Sequence, residues 1–161
     1  MNRKPEDGVY YRRSRFSATL AADCRYTASH FWLKEEEPGV WTIGFTRFAT
    51  RMLGDIVECA FTPRVGSCVE IGQEIGTVEG FKAVTALYCV ADGEFAASND
   101  VLETDITLVE SDPHRRGWLY RVRGTPDPDS LDVPGYVAVL DATIDRMLES
   151  RHDDGGPDGT S

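Results

Sequence analysis

Between Ile56 and Ser98 the chain carries five apolar or alternating runs, "IVECAF", "SCVEI", "EIGTVEGF", "AVTALYCV" and "EFAAS", parted only by breaks such as "TPRVG", "GQ" and "ADG". A parallel strand pair needs a crossover of a dozen or more residues, so these breaks force neighbouring strands to be antiparallel or to bend over into a second sheet. The segment reads as a small β-sandwich or barrel. Two similar strand, turn and strand rhythms, "VGSCVEIGQEIGTVEGF" and "YCVADGEFAASNDVL", suit two half-barrels that meet at one turn. Lys82 lies at or near that turn and is the one charged residue from Gly80 to Val90.

The flanks extend this reading. "HFWLKEE" runs through the turn "EPG" into "VWTIGFT", where Val40, Thr42 and Gly44 alternate with Trp41, Ile43 and Phe45, which predicts a hairpin. "RFATRML" places Phe48, Met52 and Leu53 at helical spacing and is stopped by Gly54. "NDVLETDITLV" offers an Asn or Asp cap and a short helical segment, and "GWLYRVRG" returns as a strand. In "DVPGYVAVLDATIDRMLESR", Val137, Leu140, Ile144 and Leu148 recur at steps of three and four, the apolar stripe of an amphipathic helix packed on the domain. The expectation is a mainly β domain over residues 23–149 with short helices and a C-terminal amphipathic helix. Residues 1–22 show no clear period and read as an added arm. Residues 150–161, "SRHDDGGPDGTS", have no apolar side chain to bury and are expected to be disordered.

A chain of 161 residues is the size of one domain and can bury roughly 70% of its unfolded surface. Its net charge of −10 is uneven. Arg3, Lys4, Arg12, Arg13 and Arg15 against Glu6 and Asp7 give the first sixteen residues +3, which leaves −13 for the rest. An acidic body without a basic, aromatic-interleaved stripe argues against nucleic acid, and the charge steers toward basic partners. No apolar run approaches the ~20 residues that span a bilayer, and "FSATLAA" is too short and too polar for a signal-peptide core. A cytoplasmic protein follows, with Cys24, Cys59, Cys68 and Cys89 reduced and mostly buried.

Autonomous chemistry is hard to find. There is no GxSxG elbow, no GxxxxGK[ST] and no GxGxxG after a strand. His30, His114 and His152 are scattered without metal-ligand spacing. The Glu35, Glu36 and Glu37 cluster sits at a hairpin tip, where carboxylates are ordinarily solvated, and "DDGGPDG" lacks the spacing of a calcium loop.

The stretch "GDIVECAFTPRVGSCVEIGQEIGTVEGFKAVTALYCVADGEFAASND" resembles, in order and spacing, the family of the glycine cleavage system H protein and its lipoyl-carrying relatives. "SHFW", "IGFTRFATRMLGDIV" and "DPHRRGWLYRV" continue the resemblance, which covers about residues 26–147. It implies a barrel-sandwich hybrid fold with Lys82 at a tight β-turn, bearing lipoic acid as an amide. The protein is then a carrier subunit rather than an enzyme, modified by a lipoate ligase or lipoyl transferase and reoxidised by a dihydrolipoamide dehydrogenase. An exposed tip on a rigid sandwich suits such an arm.

The chain also departs from the family pattern. Where members serving glycine cleavage read "SHEW" and "KAVSDLY", with the two acids lining the cleft that receives the aminomethyl load, this chain has Phe31 and Ala86, and Ser29 alone matches. Cys89 stands in "LYCVADGEF" where the family reads "LYSPVSGEV". A buried amine wants a carboxylate, so a cleft formed by Ser29, Phe31, Ala86 and Cys89 suits an uncharged or sulfur load. This favours a lipoate-binding protein that works with a heterodisulfide-reductase-like complex in bacterial sulfur oxidation. The alternatives are the H protein of glycine cleavage, acting with the glycine cleavage enzymes, and an unlipoylated binding or scaffold module.

Overall fold

A computed structural model describes the backbone over residues 8–155 and side chains through Arg151. A hairpin of β1 (Gly8–Arg13) and β2 (Phe16–Ala21) is followed by β3 (Arg25–Tyr26), β4 (Phe31–Glu37), β5 (Val40–Phe45) and helix α1 (Arg47–Leu53). Next come β6 (Ile56–Phe61), β7 (Cys68–Val69), β8 (Glu74–Gly80), β9 (Val84–Tyr88) and β10 (Ala91–Ser98). A 3-10 turn over Asp100–Glu103, helix α2 (Leu108–Ser111), strand β11 (Tyr120–Pro126) and the long helix α3 (Val133–Gly155) complete the chain.

The strands form a six-stranded sheet in the order β3-β4-β5-β11-β10-β7, a three-stranded sheet in the order β6-β8-β9, and the separate β1-β2 pair. Every strand pairing among the described residues is antiparallel, as the short breaks require. Leu33, Ile43, Phe95 and Tyr120 face Ile75, Val78 and Leu87 across the two larger sheets in one continuous core. Strand side chains alternate, so Trp32, next to Leu33, points the other way. There it joins a second core with Tyr11, Phe16 and Leu20 of the hairpin and Tyr136, Leu140 and Ile144 of α3. The six-stranded sheet is thus covered on both faces.

Two boundaries differ from expectation. Within the stretch read as an arm without period, residues 8–21 are an ordered hairpin: Phe16, Ala18 and Leu20 are buried while Ser17 and Thr19 are exposed, a strict period of two. The hairpin is tied to α3 by Tyr11 Oη donating to Asp141 at 2.7 Å and by Arg13 paired with Asp145 at 2.9 Å. At the other end α3 continues through Gly155, so the tail expected to be disordered from residue 150 is helical as far as 155. Helix propagation adds one hydrogen bond per residue once a packed segment has nucleated it, and needs no further apolar side chains. The remainder of that tail and residues 1–7 lie outside the described residues. No helix among the described residues is long and apolar enough to cross a membrane.

Candidate functional site

Lys82 occupies the connection between β8 and β9, and the backbone there is pinned on three sides. The Gly80 amide donates to the Ala83 carbonyl at 2.8 Å and closes the turn. The Phe81 amide donates to Asp55 O and the Lys82 amide to Leu53 O, both at 2.9 Å, anchoring the tip to the end of α1. That end is itself well defined. Thr46 caps the N-terminus of α1 by accepting from the Ala49 amide, and the helix stops at Gly54, whose φ of 78° suits glycine and whose amide returns to Thr50 O. Small residues are needed where helix and turn meet. A Cβ on Gly80 would collide with the Leu53 carbonyl, and one on Gly54 would press on Lys82 at 3.0 Å.

The backbone is held by these bonds, whereas the side chain is exposed. Lys82 is exposed, flanked by Phe81 at 82% exposure and Val84 at 70%. Its Nζ donates to Arg51 O, among the last carbonyls of α1, at 3.1 Å. No carboxylate pairs with it among the described residues. This suits an acylated amine, because an amide nitrogen keeps one N–H and that N–H has one acceptor within reach. Two surface depressions border Lys82. One, of about 440 Å³, lies between the end of α1 and Glu110, whose carboxylate is already taken by the Ile56 amide at 2.8 Å. The other, of about 620 Å³, runs between the β1-β2 turn, α1 and α3.

None of the four cleft residues expected from the sequence lines either depression. Ser29 is exposed and shares a hydrogen bond with Thr27 at 2.9 Å. Phe31 is buried and stacked on Phe45, with ring centroids 5.3 Å apart. Ala86 is half-buried on β9 opposite Thr77. Cys89 is 1% exposed, its thiol donates to Ala91 O at 3.1 Å, and burial pushes its pKa up, which disfavours the thiolate that exchange requires. The structure therefore brings Phe31 and Cys89 into the core rather than into a cleft beside Lys82. Cys24 is buried as well, with a pKa pushed up to about 12, Cys59 is half-buried, Cys68 is exposed, and none is in a disulfide. Sequence reasoning missed Arg51, Met52, Met147 and the β1-β2 turn as neighbours of Lys82; the alternation of Phe16, Ala18 and Leu20 was the available signal.

Comparison with known proteins matches this geometry to one family. The family model "Glycine cleavage H-protein" matches residues 24–132. A glycine cleavage system H protein of Shewanella sp. (strain ANA-3) is 35% identical over 127 residues, covering 77% of this chain and 98% of that relative. One from Enterobacter sp. (strain 638) is 34% identical over the same length and coverage. The crystal structure of a glycine cleavage system H protein from Mycobacterium marinum superposes with a TM-score of 0.67 at 31% identity, covering 74% of this chain and 97% of that one.

Proposed function

The chain belongs to the glycine cleavage H-protein family, and on that premise we propose that it is the lipoyl carrier of a glycine cleavage system, with lipoate attached at Lys82. Proteins of this family are carrier subunits, not catalysts. The observation that carries the residue assignment is the turn itself: an exposed lysine whose backbone is held by Leu53, Asp55 and Ala83 while its amine stays accessible. A bound lipoyl group supplies a cyclic disulfide that takes up and gives back a thiol-linked load.

The chain's own residues provide placement. The three backbone bonds hold the root of the arm, so motion is confined to the lysine stem and whatever it bears. A tether of this kind raises the concentration of the reacting sulfur at each partner to about the millimolar range. The fitting partners are a lipoate ligase or lipoyl transferase, the glycine cleavage enzymes, and a dihydrolipoamide dehydrogenase for reoxidation.

The sulfur-oxidation reading rested on Phe31, Ala86 and Cys89. Packing accounts for two of them without reference to any load: Phe31 fills the space against Phe45, and Cys89 is a core thiol bonded to Ala91 O. The relatives above bear the glycine cleavage name, and no heterodisulfide-reductase-like partner gains support from them. The deciding assay adds lipoylated protein to glycine decarboxylase and follows exchange of labelled carbon dioxide into glycine. Exchange that depends on Lys82 is the expected result. A fully lipoylated protein that supports no exchange would overturn the glycine cleavage assignment and return Ala86, the departure that is only half-buried, to the centre of the pathway question.

A further inference from the structure

We propose that the cavity between the β1-β2 hairpin, the first turn of α1 and the loop after α2 binds a small organic oxyanion, a carboxylate or a phosphate monoester with an aromatic or apolar body. The cavity measures about 400 Å³, within the range of small-molecule sites. Its walls come from three parts of the chain: Tyr10, Ser17 and Thr19 from the hairpin, Arg47 from α1, and His114 and Arg115 from the loop. Lys82 does not line it, so the site is independent of the carrier reading.

Hydrogen-bond accounting and charge both call for acceptor atoms. Among the described residues two buried side-chain nitrogens have no partner, Trp32 Nε1 and His114 Nε2. Their rings lie together, with centroids 5.2 Å apart, so the two unmet groups mark one place in the fold. His114 lines the cavity, and Trp32, wholly buried, packs on it from the core. An indole N–H can only donate, and a buried donor left unmet is costly. Burial lowers the His114 pKa, so the ring is neutral and its Nε2 donates or accepts according to tautomer. Arg47 and Arg115 add two exposed guanidinium groups that form no ion pair among the described residues. Asp112 is the one acid in the lining, and it accepts from the Arg116 amide at 3.4 Å. Lys34 and Asp23, further charges that act on His114, are paired with each other at 3.2 Å. Two arginines against one aspartate leave the lining at +1 in a chain whose net charge is −10. The planar fork of a guanidinium matches the oxygens of a carboxylate or a phosphate.

The remaining walls suit an organic body. Tyr10, at 65% exposure, and the buried Tyr26 supply aromatic surface, and the Thr19 hydroxyl stands on β2 opposite Tyr10. The loop is shaped by its own bonds: the Asp112 amide donates to Leu108 O at 2.9 Å and the Gly117 amide to Asp112 O at 2.8 Å. A preformed loop loses little freedom when a ligand binds. An occupant also ties the hairpin, which lies outside the matched family region of residues 24–132, to the loop within it.

The test uses the full chain labelled with nitrogen-15. There are three tryptophans, so the variants Trp41→Phe and Trp118→Phe identify the Trp32 indole N–H signal by elimination. Benzoate and adenosine monophosphate are titrated separately, with inorganic phosphate and sodium chloride at matched ionic strength as controls. The expected result is saturable movement of the Trp32 signal by at least one of the two organic anions, and the lower half-saturating concentration tells a carboxylate site from a phosphate site. Arg115→Gln, at an exposed loop position, should raise that concentration at least fivefold while the thermal midpoint of the ligand-free protein stays unchanged. No movement beyond the chloride control overturns the site, and so does movement that inorganic phosphate matches or that Arg115→Gln leaves unaltered.

Discussion

Lys82 is positioned by its main chain, and that makes its glycine neighbours the sensitive residues. Gly54 combines a φ of 78° with a ψ of −169°, a region only glycine enters freely, and its missing Cβ leaves room for the Lys82 stem. Gly54→Ala should cost about 1–3 kcal/mol in denaturant unfolding and slow the modification of Lys82, because the turn must shift away from α1. His30, in the "SHFW" motif, is held at a φ of 75° with its ring bonded to Tyr136 Oη at 2.8 Å. Burial lowers its pKa to about 4 from an ordinary 6.5, so the folded state favours the neutral ring. The unfolded chain then binds more protons between pH 6.5 and 4. The associated stability is complete above pH 6.5 and is lost as pH falls toward 4, by up to roughly 3 kcal/mol. Asn tolerates positive φ, so His30→Asn should flatten this part of the stability-against-pH curve. His114, whose pKa burial also lowers, contributes to the slope that remains. A curve of unchanged slope would contradict the assignment.

Among the elements, the β1-β2 hairpin is the addition that closes the second face of the large sheet. Phe16 packs edge-on against Phe48 of α1 at 5.3 Å, and Phe48 in turn meets His30 at 4.7 Å, so the hairpin leans on the same helix that anchors Lys82. Phe16→Ala should destabilise the fold by about 3–5 kcal/mol, read from denaturant midpoints. It should also speed amide exchange in β2 more than in β8, since β8 belongs to the other core. Exchange that rises equally in both strands would show a single cooperative unit instead.

The hairpin was hidden in the sequence because Arg12, Arg13 and Arg15 interrupt the apolar pattern, and only the partner strand, "FSATLA", alternates cleanly. α1, by contrast, was legible down to its glycine stop, because the spacing from Phe48 to Leu53 and the breaker at Gly54 agree. The expected cleft was only partly legible for a physical reason: motif position says where Phe31 and Cys89 lie along the chain, but the strand pleat decides that both are buried.

At the scale of the whole molecule, short connections dictated antiparallel sheets, and the motif order placed a lysine at the tip where they turn. Burial on both faces of the six-stranded sheet makes a rigid body from which one exposed side chain projects. On the carrier reading, this body serves to hold an acyl arm at Lys82. That reading is tested most directly by the intact mass of the protein after incubation with a lipoate ligase, ATP and lipoate, beside the Lys82→Arg variant. The expected result is a gain of one lipoyl group in the parent, located by peptide mapping at Lys82, and no gain in the variant. An unmodified parent, or a variant that gains the same mass, would contradict it.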